Sequence, residues 1–345
     1  MTTINEIARK AKVSVGTVDR VLHNRGRVSE ETRKRVLQIV KDMDYRPNVF
    51  ARSLSLKKTF TFGILIPLSS QDGRYWELPM SGVQKALDEL KLYNVNVIMF
   101  HYDKYSEDSF HQACQEIEAT LETLDGLVIA PVLSKASEQF IDRFPDNVPY
   151  VFIDSYIPDS HCLSYIGQES FQSGILAAKL MQMRLGGGKV VIFRVLPIDY
   201  HIDDRVKGFQ SVMQQNNHFE VLTFNVDPQL DAHIFSQIAE KIFHEHNDVA
   251  GMFVPSACAH QVADTLVRLD RANDVALIGY DLVEENKKHL KTGAIDFLIS
   301  QRPAFQGYQG VYSLYRHVIL KESVDEKMIV PMDILTQENV DYYQG

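Results

Sequence analysis

Through Met43 the apolar residues recur at three- and four-residue spacing, and beyond Thr59 they gather in short runs separated by amphipathic stretches, so two architectures follow one another. Thr3 and Glu6 have the spacing of a capping box, which predicts a helix from Ile4 to Lys10 with Ile4, Ile7, Ala8 and Ala11 on its apolar face. After the turn at Lys12 and Val13, Ser14 caps a second helix that turns Val18, Val21 and Leu22 inward and leaves Val15, Gly16, Asp19 and Arg20 outward. Ser29, followed by Glu30 and Glu31 in the first turn, opens a third helix with Val36, Leu37, Ile39, Val40 and Met43 as its buried stripe. Three such helices close a small core.

The second pattern predicts strands at Phe62 to Ile66, Val95 to Phe100, Gly126 to Ala130, Tyr150 to Ile153, Val190 to Phe193, Val221 to Val226, Gly251 to Pro255, Ala276 to Tyr280 and Phe297 to Ser300. Helical patterns lie between most of them, the alternation of parallel sheets covered on both faces. The body is longer than a typical single domain, so two doubly wound lobes with a cleft between them are expected. Ligands in such folds bind beyond the carboxyl ends of strands, where this chain places Ser69, Ser155, Ser256, Asp281 and Gln301. Arg205 starts the next helix. A carboxylate accepts from two vicinal hydroxyls and an arginine donates two parallel bonds, so this mixture suits a polyhydroxylated ligand; Tyr75 and Trp76, the latter the only tryptophan, offer faces for a sugar ring.

Charge sharpens the division. Residues 1 to 58 carry 14 Lys and Arg against 6 Asp and Glu, net +8, while the remainder carries 22 against 39, net −17, hidden inside an overall −9. A basic helical end suits phosphate and an acidic body does not, as expected of a nucleic-acid reader joined to a ligand-binding body.

The head resembles the lactose-repressor (LacI) family on Val13-Ser14, Thr17-Val18, Arg20-Val21-Leu22, Val28-Ser29, Thr32-Arg33, Val36, Tyr45, Pro47-Asn48, Ala51-Arg52 and Leu54. The resemblance implies DNA contacts by Thr3, Ser14, Val15, Gly16, Thr17, Asp19, Arg20, Asn24, Arg27, Asn48, Ala51, Arg52 and Leu54. Val15, Gly16 and Arg20 fall where the family reads base edges, and Leu54 falls on the hinge-helix residue that wedges into a minor-groove step. Asp19 stands where the family usually has serine; near phosphates its carboxylate is repelled unless it accepts from a cytosine amino group or pairs with Arg20 or Arg25. Val15 and Gly16 carry no side-chain donor, which makes Arg20 the best candidate for bidentate guanine recognition, with a phosphate contact as its alternative role.

The body resembles the periplasmic-binding-protein-like effector domain of the same family at Arg205, Gly208 and Phe209, at Gly279-Tyr280-Asp281 and from Ile299 to Pro303. By that resemblance Arg205, Asp281 and Gln301 contact the ligand. Ser256-Ala257 stands where sugar-binding relatives often have Asn-Asp. The expected organisation is an all-α helix-turn-helix DNA-binding head (1–46), a hinge helix and linker (47–59), and an α/β periplasmic-binding-protein-like (type I) body (60–345). Within the body, lobe 1 is expected at about 60–163 and 302–327, and lobe 2 at about 164–301 and 328–345.

Other signals are weaker. Gly186-Gly-Gly-Lys189 lacks phosphate-loop spacing and precedes a strand, so it is expected to be a helix stop and turn. His244 and His246 lie on different sides of a helix, and no metal, cofactor or catalytic set is expected. Cys114, Cys162 and Cys258 are scattered and odd in number, as in a reducing cytoplasm. With no leader and no long apolar run, a cytoplasmic, nucleoid-associated homodimer on a pseudo-palindromic operator is expected, with no membrane partner. Its effector is expected to be a sugar or sugar derivative. A nucleobase or nucleoside stacked on Trp76, Tyr75 or Tyr156, a protein partner, and a Rossmann-like enzyme are the alternatives.

Overall fold

A computed structural model describes residues 4–22, 28–43, 58–197, 199–231 and 233–345. They form two compact units that part between Lys58 and Thr59. Thr3, Asn24, Arg27, Asn48, Ala51, Arg52 and Leu54, and the expected hinge helix, lie outside the described residues.

The head unit contains helices α1 (Ile4–Ala11), α2 (Val15–Leu22) and α3 (Glu30–Asp42). Both described caps form as the sequence requires: Ser14 Oγ accepts from the Thr17 amide at 3.1 Å, and Ser29 Oγ from the Thr32 amide at 3.3 Å. Ile7, Ala8, Ala11, Val18, Val21 and Val36 are buried together, with Ile4, Leu22, Ile39, Val40 and Met43 packed at the edge. Leu37 departs from the expected stripe and is exposed. One residue on from Val36 is a rotation of about 100°, which carries it off a face already set by Val36, Ile39, Val40 and Met43.

In the body unit the strands are, in chain order, β1 (Phe60–Pro67), β2 (Val95–Tyr102), β3 (Gly126–Ile129), β4 (Tyr150–Ile153), β5 (Ser164–Gly167), β6 (Gly188–Val195), β7 (Phe219–Val226), β8 (Val249–Phe253), β9 (Ala276–Tyr280), β10 (Phe297–Ser300), β11 (Lys327–Ile329) and β12 (Asp333–Leu335). Lobe 1 is the sheet β2-β1-β3-β4-β5-β11 and lobe 2 the sheet β7-β6-β8-β9-β10-β12. Every pairing is parallel except β10 with β12, which closes lobe 2 with an antiparallel edge. Successive strand residues point to opposite faces, so each sheet carries two apolar layers. Ile64, Val128 and Ile153 face one layer of lobe 1 while Leu65, Ile129 and Phe152 face the other. Val191 and Phe193 oppose Val190 and Ile192 in the same way in lobe 2.

The lobe limits differ from the expected ones. Ser164–Gly167 pairs with β4 on one side and β11 on the other, so lobe 1 runs through Gly167 and takes Met328 and Ile329 as well. The chain thus crosses between lobes after β5, after β10 and after β11. Gln168, 2% exposed, ties the three crossings: its amide donates to the Ser300 carbonyl at 2.8 Å and to the Pro331 carbonyl at 3.2 Å. Gly186 and Gly187 turn the chain from the helix Ser170–Arg184 into β6, as expected.

Candidate functional site

In the head, Val15, Gly16, Asp19 and Arg20 form the exposed side of α2. Arg20 Nε donates to the Gly16 carbonyl at 3.1 Å, which lays the guanidinium along the helix beside the two residues that lack side-chain donors. Ser14 and Thr17 share a hydroxyl contact of 2.9 Å at the start of the helix.

In the body, the carboxyl ends of the two sheets enclose a cavity of about 40 Å³. At roughly 10–15 Å³ per water, that is room for about three waters. Tyr75, Trp76, Arg205, Ser256, Asp281 and Gln301 line it, six of the eight residues expected from the sequence. Ser69 and Ser155 do not. Ser69 is half-buried in the loop after β1, and Ser155 is fully buried one residue beyond the lining position. The lining residue there is Asp154, the first after β4.

Asp154 and Asp281 each follow the fourth strand of their lobe in chain order, and both adopt left-handed backbone, φ 68° and 64°. Aspartate tolerates that region better than most residues with a side chain. The Asp154 amide donates to Gln306 Oε1 at 2.7 Å, and the Asp281 amide to the Ile299 carbonyl at 3.0 Å. Asp72, Lys104, Asp199 and His201, none of them expected from the sequence, line the same cavity.

Arg205 is 1% exposed and is held on three sides. Its guanidinium lies 3.9 Å over the Tyr280 ring, Nη1 donates to the Pro255 carbonyl at 3.0 Å, and Nη2 to Gln301 Oε1 at 3.0 Å. Gln301 Nε2 in turn donates to Asp281 Oδ2 at 3.1 Å. Asp281 Oδ1 is buried with no hydrogen-bond partner among the described residues. Burial pushes the Asp281 carboxyl up to about 7; the Arg205 charge opposes the rise and the Asp154 charge adds to it.

On the other side, Lys104 Nζ lies 2.5 Å from Asp72 Oδ1, and Trp76 Nε1 donates to Asp72 Oδ2 at 3.0 Å. Burial, the largest single influence, would lower the Lys104 pKa, but the Asp72 charge and hydrogen bond together with the Tyr105 and Cys258 charges raise it on balance. The Tyr75 hydroxyl donates to Asp154 Oδ1 at 2.6 Å, and burial together with that carboxylate raises its pKa well above the ordinary tyrosine value. Asp199 caps the helix Tyr200–Met213, accepting from the Ile202 amide at 2.9 Å. Asp154, Asp199 and His201 present oxygen and nitrogen atoms within 4.8 Å of one another. Tyr156 lies outside the cavity, stacked on Tyr200 with its hydroxyl donating to Asp204 at 2.6 Å. Among the described residues no helix is long and apolar enough to cross a membrane.

Residues 3–48 match the family described as bacterial regulatory proteins, lacI family, and residues 62–322 match the periplasmic binding protein domain. A structure of a putative LacI transcriptional regulator from Bacteroides fragilis is 31% identical, covers 83% of this chain and 100% of that one, and superposes with a TM-score of 0.76. The ribose operon repressor of Halalkalibacterium halodurans is 26% identical over 290 residues, 81% of this chain and 80% of that protein. The HTH-type transcriptional regulator RegA of Clostridium acetobutylicum is 47% identical over 102 residues, and the match spans only 29% of either chain. With a three-helix head and a two-lobed body that both match at family level, the chain belongs to the lacI family of bacterial regulatory proteins: a DNA-binding transcriptional regulator carrying a periplasmic binding protein domain.

Proposed function

We propose that this regulator is a repressor that binds a pseudo-palindromic operator as a homodimer and releases or grips it according to a sugar or sugar derivative held between the lobes. The observation that carries this reading is the position of Gln301. Its side chain joins Arg205 to Asp281 inside the cavity, while its carbonyl, at the crossing after β10, accepts from Gln306 Nε2 at 2.8 Å. A ligand that engages Arg205 and Asp281 therefore bears on a lobe crossing directly. Gln306 extends the connection to the Asp154 amide in lobe 1.

In this reading Tyr75, Trp76, Arg205, Ser256, Asp281 and Gln301 contact the effector, joined by Asp154, Asp199 and His201. Arg20 reads a guanine, with Val15 and Gly16 allowing close approach. The name of the Halalkalibacterium halodurans relative, a ribose operon repressor, agrees with a carbohydrate effector. A coupling of about 1–3 kcal/mol between the sites gives a change of roughly 5- to 150-fold in operator affinity.

The test is thermal unfolding against monosaccharides, oligosaccharides, sugar phosphates, sugar acids and nucleosides. A ligand at 100 times its Kd stabilises by about 2.7 kcal/mol. The expected result is a sugar that stabilises the native protein, does not stabilise Arg205→Ala, and changes the operator affinity of the native protein alone. A panel without any carbohydrate hit rejects the effector assignment.

A further inference from the structure

The cavity between the lobes contains more acid than base. Asp72, Asp154, Asp199 and Asp281 face Lys104, Arg205 and His201, so one carboxylate remains uncompensated even with the imidazole protonated. Asp72 and Lys104 close a pair at 2.5 Å, and Arg205 lies over Tyr280 and donates to the neutral Pro255 and Gln301 oxygens, its Nε buried without a partner among the described residues. The surplus therefore rests on Asp154, Asp199 and Asp281, each 3% exposed.

Their local partners leave acceptors open. Asp154 receives the Tyr75 hydroxyl on Oδ1, while its Oδ2 is 3.9 Å from His201 Nε2. His201 Nδ1 lies 2.7 Å from Asp199 Oδ1 but makes no hydrogen bond there. Asp281 lines the same cavity, and its Oδ1 is buried without a hydrogen-bond partner among the described residues. A carboxylate shut away from water with too little counter-charge is costly, and a ligand that supplies positive charge recovers part of that cost.

We propose that the effector carries a protonated amine, an amino sugar or a similar polyhydroxylated amine, whose ammonium group is held by Asp154, Asp199 and the free oxygen of Asp281. This deepens the reading of the cleft as a carbohydrate site and rests on it. An ammonium presents three N–H donors and no acceptor, which matches a group of carboxylate acceptors. A phosphate or carboxylate on the ligand adds to the surplus, and a neutral sugar leaves it in place. Burial raises the Asp281 carboxyl to about 7, and the Asp154 charge adds to the rise. The Tyr75 hydroxyl and the Ile202 amide already donate to two of these carboxylates, so the acceptors are arranged for N–H and O–H donors.

The experiment measures binding to the full chain by calorimetry in EDTA. The probes are glucosamine, galactosamine and mannosamine, their neutral parent hexoses, their N-acetyl forms, glucuronate and glucose 6-phosphate, with Mn²⁺ alone in a parallel series without chelator. The expected result is an amine that binds at least tenfold tighter than its neutral parent and its N-acetyl form, with the preference lost in Asp154→Asn and Asp199→Asn. Asparagine keeps the tolerance for left-handed backbone at 154, and circular dichroism checks that each variant folds. A neutral or anionic sugar that binds as tightly as its amine overturns the ammonium site and leaves the carbohydrate reading standing. Tight Mn²⁺ binding that is lost in Asp154→Asn, without any amine preference, places a metal there and overturns it as well. If no compound of any class binds, both readings fail together.

Discussion

In lobe 1 the helix Glu77–Leu90 crosses Pro303–Leu314 so closely that a Cβ added at Gly82 would meet the Ala304 carbonyl, and one at Gly307 the Pro79 carbonyl. In lobe 2 the helix Ser170–Arg184 crosses Tyr200–Met213 in the same manner, Gly174 against the Arg205 carbonyl and Gly208 against the Phe171 carbonyl. Strand order repeats too, with β2-β1-β3-β4-β5 answered by β7-β6-β8-β9-β10. The chemistry does not repeat. Lobe 1 pairs Lys104 with Asp72 and covers Asp154 with the Tyr75 hydroxyl, whereas lobe 2 runs Arg205 through Gln301 to a half-satisfied Asp281. One scaffold thus carries two different walls, and effects on the scaffold should be separable from effects on the walls.

The largest separable effect belongs to Asp281. Its folded-state pKa of about 7 lies above the unfolded value, so its contribution to stability is full below about pH 4 and is lost as pH rises to about 7. At about 1.4 kcal/mol per unit the loss reaches at most ~4 kcal/mol. The groups that set it are Arg205 and Gln301, Asp154 and Tyr75 across the cleft, and His201. Asp281→Asn is expected to flatten the fall between pH 4 and pH 7 in urea titrations; an unaltered slope would remove Asp281 as its source.

The crossing glycines test the scaffold itself. Gly82→Ala and Gly174→Ala each push a methyl into a backbone carbonyl, an overpacking that costs about 1–3 kcal/mol or somewhat more. Comparable losses in stability are expected for both. Only Gly174→Ala displaces the backbone of Arg205, so it alone should weaken effector binding, by tenfold or more. Equal losses of affinity would show that the lobes are not separable in this way.

Much of this was legible because local rules and the final packing agree. Ser14 and Ser29 cap the helices they precede, and the strands of both sheet interiors appear as apolar runs. β5 was missed because Ser164-Tyr-Ile-Gly167 is short and half polar; its burial comes from β4 and β11. β11 and β12 have three residues each and carry no periodicity of their own. Asp154 lines the cavity where Ser155 was expected, and an aspartate directly after a strand, as at Asp281, is the signal in the sequence that marks it. Asp199 was open to discovery as the cap of the helix that bears Arg205. Asp72 and Lys104 were not, since their pairing joins two loops 32 positions apart.

The smallest expected effect concerns the rim, where the two lobes touch outside the cavity. Tyr156 of lobe 1 donates to Asp204 of lobe 2 at 2.6 Å, Tyr200 of lobe 2 donates to Glu138 of lobe 1 at 2.6 Å, and the two rings stack at 5.9 Å. All four side chains are half-buried, so each hydrogen bond is worth about 0.5–1 kcal/mol after screening. Tyr200→Phe keeps the ring and removes one latch without touching either sheet or the cavity lining. The closed arrangement then loses part of its advantage over an open one, and a ligand that needs closure binds more weakly in proportion to the closed fraction lost. A two- to fivefold rise in effector Kd is expected, with the urea midpoint within about 0.5 kcal/mol of the native value. A drop in stability with Kd unchanged would make the contact a prop of lobe 2 and not a latch between the lobes.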